Sequence, residues 1–177
     1  MDCSIVVLEE SYRKTAPPVY FNKYTDVLNP ARVKVSYTLL DVSAIREAKN
    51  EIDVKFTAEF EWRETRATYY NLKKKLSQNT LEPKESSKLW IPNLIYRNNK
   101  DNEGSRSELN KSVFKIDRQG NFTRSGIEVA DEIEIFAGDD NPIFMLQSYT
   151  KDFRCHYNLR VFPFDTQVGS KLYISAV

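Results

Sequence analysis

From residue 52 to residue 62 the chain alternates without a break. Ile52, Val54, Phe56, Ala58, Phe60 and Trp62 are apolar, and Asp53, Lys55, Thr57, Glu59 and Glu61 between them are polar. Successive side chains of a strand point to opposite faces, so a period of two held this long predicts a strand with one face on a core and the other in water. A helix would scatter the same residues around its axis. Val33, Val35, Tyr37 and Leu39 repeat the pattern and predict a second half-buried strand. Residues 44–50 read as the charged connection between the two. Shorter apolar groups predict further strands at residues 94–96, at Val113, Phe114 and Ile116, and at 171–177. Ile133 and Ile135 on one side, and residues 143–153 on the other, flank Gly138-Asp-Asp-Asn-Pro142. That arrangement predicts a hairpin.

The class that follows is all-β, an antiparallel sheet structure with one face buried and one solvated. Residues 1–20 look irregular, because Pro17 and Pro18 block regular pairing. Residues 21–28 predict a short helix, stopped by Asn29-Pro30. Residues 98–107 form a polar loop, and Arg118-Gln-Gly120-Asn121 a turn.

Composition narrows the function. Lys plus Arg number 26 and Asp plus Glu 25, a balance that argues against a nucleic-acid surface or a polybasic membrane patch. The single histidine, His156, leaves no Ser/His/Asp or Cys/His constellation. No metal-ligand spacing and no glycine-rich phosphate loop occur, so no enzyme, metal or cofactor is expected. No signal peptide and no apolar run long enough to span a membrane is read in this chain. Asn110-Lys-Ser112 and Asn121-Phe-Thr123 fit the N-glycosylation acceptor pattern.

Three motifs then stand out in order: Trp62-Arg-Glu64-Thr-Arg66, Leu89-Trp90-Ile-Pro92-Asn93, and Cys155 followed by Phe162-Pro163-Phe164-Asp165. Together they resemble the extracellular ligand-binding domain of the pentameric Cys-loop neurotransmitter-gated ion channels. The likeness departs in three places. Glu64 stands for the usual Asp, Asn93 replaces another Asp, and Gly169 stands where the loop's second cysteine belongs. The loop is therefore expected to lack its disulfide. Phe162 before Pro163 favours a cis peptide bond at a tight turn.

The resemblance implies an immunoglobulin-like sandwich of two antiparallel sheets over residues 21–177, with a short N-terminal helix and with the last strands and the membrane helices missing. It implies a small-molecule agonist bound between homologous subunits of a pentamer, on the extracellular side of a plasma membrane, and a membrane domain outside this chain. Carried over residue by residue, the ligand-facing positions are Thr57 and Glu59, Tyr96 and Arg97, and Glu134, Phe136, Phe144 and Leu146. The positions that would press on the membrane domain are Ile45, Arg46 and Glu47, with Phe162, Pro163 and Asp165. A soluble acetylcholine-binding-protein-like module, sharing the fold without a pore, is the alternative.

Overall fold

The computed structural model describes residues 5–22, 27–96, 98, 111–124, 133–154 and 174–176. Their regular structure is nearly all strand. In chain order they are β1 (Val6–Leu8), β2 (Val19–Asn22), β3 (Val27–Pro30), β4 (Lys34–Arg46), β5 (Glu51–Trp62), β6 (Ala67–Tyr70), β7 (Leu94–Tyr96), β8 (Val113–Ile116), β9 (Phe122–Arg124), β10 (Glu134–Ala137), β11 (Ile143–Arg154) and β12 (Ile174–Ala176). The α-helix among them is one turn, α1 (Pro83–Ser86). Pro83 opens it, and Glu82 and Glu85 close a reciprocal capping box around its start.

Two four-stranded antiparallel sheets carry the fold, in the orders β1-β6-β10-β9 and β4-β5-β11-β8, which makes it a β-sandwich. The chain passes between them three times through short connections: β5 to β6, β8 to β9, and β10 to β11. The hairpin expected across Gly138–Pro142 is therefore not one. β10 pairs with β6 and β9, whereas β11 pairs with β8, Ile143 opposite Ile116. Local turn chemistry says only that the chain reverses there. The crossing itself is close-fitting at Gly138. A Cβ at that position would lie 2.1 Å from the Glu64 carbonyl oxygen and 2.6 Å from that of Ala67. Glycine thus lets this crossing lie against the β5–β6 crossing.

The helix expected over residues 21–28 is also overturned. Phe21 pairs with Leu28 and Asn22 with Val27 in the antiparallel pair β2–β3. A segment this short gains little from helix propagation, and antiparallel pairing with the strand next in sequence prevails. The N-terminal segment read as irregular contributes a strand, with Val6 opposite Tyr69 on β6.

By contact the chain divides into two compact units. One comprises residues 1–36, 59–91 and 112–146, the other 37–58, 92–111 and 147–177. The first buries Phe60, Trp62, Ala67, Tyr69, Phe114, Ile116, Phe136, Ile143 and Met145. The second is built on aromatic rings. Phe56 stacks on Tyr149 at 5.1 Å, and Tyr96 meets Tyr149 edge-on at 5.6 Å. Phe153 lies 6.2 Å from both Phe56 and Tyr96. The predicted register of β5 holds: Phe56, Ala58, Phe60 and Trp62 are buried, with Ile52 and Val54 half-buried. β4 is different. It ends the order of its sheet among the described residues, and Tyr37 and Leu39, expected on a half-buried face, are exposed.

Candidate functional site

In the first unit Trp90 of the second motif meets the first motif. Glu64, fully buried, sits in the β5–β6 crossing. Arg66 donates to it twice, from Nε at 2.7 Å and from Nη2 at 2.9 Å. Tyr12 donates its hydroxyl to the second Glu64 oxygen at 3.1 Å, and the same hydroxyl accepts the Trp90 backbone N–H at 2.6 Å. The Arg66 guanidinium lies 4.5 Å over the Tyr12 ring, and Trp90 packs edge-on against Trp62. Burial above all, reinforced by the Glu64 carboxylate and opposed by the Trp90 bond, pushes the Tyr12 phenol up to about 12. The bonds to Glu64 hold the Arg66 guanidinium above its ordinary pKa. Tyr12 carries no signal in the sequence, because the contact spans 52 residues to Glu64 and 78 to Trp90. Pro92 is buried and Asn93 half-buried.

The ligand-facing positions separate into two groups. On β5 Thr57 is half-buried and Glu59 exposed, on the side opposite the buried alternation. On the neighbouring strand β11 Phe144 is half-buried and Leu146 exposed, again opposite the buried set. Glu59, Phe144 and Leu146 thus share the outward face of one sheet. That face offers a carboxylate, an aromatic ring and an aliphatic side chain, a combination suited to a small organic cation or a mixed polar ligand. Tyr96 and Phe136 do not share it. Both are fully buried, Tyr96 in the aromatic core of the second unit and Phe136 in the first. Glu134 is on β10 in the other sheet, half-buried and 3.4 Å from Arg118 Nη1. Alternation explains the split, because adjacent residues of a strand point to opposite faces. Arg97 lies outside the described residues.

At the β4–β5 turn the three membrane-facing candidates behave differently. Ile45 and Glu47 are exposed. Arg46 turns back onto the strands, with Nη1 2.6 Å from Asp53, Nη2 3.1 Å from Asp152 and Nε 3.2 Å from Glu51. Its pKa is raised, first by the hydrogen bonds to Asp53. A chain reversal here needs a left-handed residue, and Asn50 supplies it at φ 54°. Cys155, Phe162, Pro163 and Asp165, with Gly169, lie outside the described residues.

Among the described residues no group of three or more His, Cys, Asp or Glu side chains is arranged to hold a metal. The carboxylates of Glu51, Asp53 and Asp152 converge on a guanidinium instead. A cleft of about 520 Å³ opens beside the end of β5, lined among others by Arg32, Lys34, Glu61, Trp62 and Arg63. Three cations against one carboxylate give it a field favouring an anionic guest. No helix among the described residues is long and apolar enough to cross a membrane.

Comparison with known families gives one match. The family model described as the neurotransmitter-gated ion-channel ligand binding domain covers residues 4–171. Comparison with individually curated proteins gives no significant match.

Proposed function

Because the chain belongs to the neurotransmitter-gated ion-channel ligand-binding-domain family, we propose that it is the extracellular ligand-binding part of a channel subunit. It takes a small neurotransmitter-like agonist between neighbouring subunits of a pentamer and passes the signal to a membrane domain that gates ion flow. The family is one of receptors rather than enzymes. The observation that carries the reading is the extent of the match. Residues 4–171 include both strands with the outward-facing candidates, the β4–β5 turn and the Phe162-Pro163-Phe164-Asp165 segment.

Thr57, Glu59, Phe144 and Leu146 are the contacts most open to a ligand, since their strands keep them off the buried faces. Ile45 and Glu47 are the exposed groups at the turn for the membrane domain to meet. Tyr96 acts from behind, as a core ring against Phe56 of β5 and Tyr149 of β11, while Phe136 packs on Phe122 in the other sheet.

Titration of the assembled chain with neurotransmitter amines and amino acids tests this. Saturable binding is expected, weakened about tenfold by Glu59→Ala or Phe144→Ala, a change of about 1.4 kcal/mol. Binding that ignores both substitutions would overturn the assignment of this face. No saturable binding to any assembled form would overturn the function.

A further inference from the structure

We propose that Asn121 is an acceptor for an N-linked glycan, displayed by a turn that the fold clamps in place at the outer strand of its sheet. The proposal rests on the extracellular reading above, since this modification is made in the secretory pathway.

Asn121-Phe122-Thr123 is a complete acceptor triplet. Asn121 and Thr123 are both exposed, while Phe122 between them is half-buried. The Phe122 ring lies 5.6 Å from Phe136, and the Arg118 guanidinium is 5.4 Å from Phe122 and 4.7 Å from Phe136. Strand alternation then directs the acceptor amide and the hydroxyl outward together. The turn before Asn121 is held from the other side. Asn141, fully buried, accepts the backbone N–H groups of Gln119 at 3.0 Å and Gly120 at 3.1 Å, and donates to the Ala137 carbonyl at 2.7 Å. The triplet ending at Ser112 is presented differently: its hydroxyl is buried and lacks a hydrogen-bond partner among the described residues.

In the transfer, Asn121 Nδ2 bonds to C1 of a lipid-pyrophosphate-linked oligosaccharide. The C1–oxygen bond breaks, the amide gives up one proton and the lipid pyrophosphate leaves. Donor and transferase come from the host cell. The consequence is local. β9 is the last strand of its sheet among the described residues, and an open strand edge invites pairing with other chains. A bulky hydrated sugar one residue before β9 bars that edge.

The test expresses the full chain behind a cleavable secretion leader in eukaryotic cells and follows its mass before and after endoglycosidase. The wild type is expected to lose one glycan-sized step that Asn121→Gln and Thr123→Ala both abolish and that Thr123→Ser keeps. Asn110→Gln separates any step due to the other triplet. Equal masses for the wild type and Asn121→Gln would overturn the site while leaving the extracellular reading standing. A glycan on the leader-bearing chain but not on the protein in its own cells would uphold the site and overturn that reading.

Discussion

At the scale of single residues, Tyr12 and Glu64 decide how the motifs are joined. Tyr12→Phe removes one hydroxyl, which leaves the Trp90 N–H without its acceptor and takes one bond from a Glu64 oxygen that keeps Arg66 Nη2. The expected cost is about 1–3 kcal/mol, the penalty for leaving such groups unsatisfied. A urea midpoint unchanged from wild type would show that water replaces the hydroxyl. The phenol also makes stability depend on pH. Its pKa is raised from 10 to about 12, so its contribution is fully present below pH 10 and is lost as pH climbs toward 12. Tyr12→Phe should therefore shallow the alkaline loss. Glu64→Ala is more damaging, because it leaves Arg66 without its buried carboxylate. A loss of roughly 3–5 kcal/mol is expected, read as a fall of about 2–4 °C in Tm per kcal/mol for a chain of this size.

At the scale of elements, the sheet-to-sheet crossings are the parts that admit no slack. Gly138→Ala would drive a methyl into two backbone carbonyls of the neighbouring crossing, neither of which can move alone. Gly120→Ala meets the Asp140 Cβ at 2.5 Å, which side-chain rotation does not move, so the exposed turn carrying Asp140 must shift as a whole. Overpacking typically costs about 1–3 kcal/mol. Gly138→Ala is expected at or above the top of that range, because it meets two carbonyls at once, and Gly120→Ala within it. Paired denaturant melts check the order, and equal midpoints would mean that the β10–β11 crossing is looser than its contacts indicate.

At the scale of the whole molecule, β4 is the liability. Leu39 is 63% exposed and Ile45 59% exposed on a thirteen-residue strand at the end of its sheet order among the described residues. A long apolar edge of this kind pairs or aggregates. The purified chain should associate with rising concentration in size-exclusion chromatography. Leu39→Lys should weaken that association while changing stability by only about 0.5 kcal/mol or less, as for other exposed substitutions. A chain that stays monomeric at high concentration would show that the strand is covered.

The sequence by itself determined the strand class, the register of β5 from Phe56 to Trp62, the short strands at β7 and β8, and the three motifs that announce the family. Each of these is written locally, in alternation or in a run of a few neighbouring residues. Tertiary structure alone decided which strands pair. It sent β10 and β11 to different sheets, whereas the strands that replaced the expected helix at residues 21–28 pair with each other locally. It also drew Tyr12 between Glu64 and Trp90. For the candidate site the sequence placed Thr57 and Glu59 on a polar face, but the resemblance that offered Phe144 and Leu146 could not distinguish them from Tyr96 and Phe136, which are buried. The reason is physical. Alternation says that a strand has an inside and an outside, while burial is settled by what a distant part of the chain lays against each face.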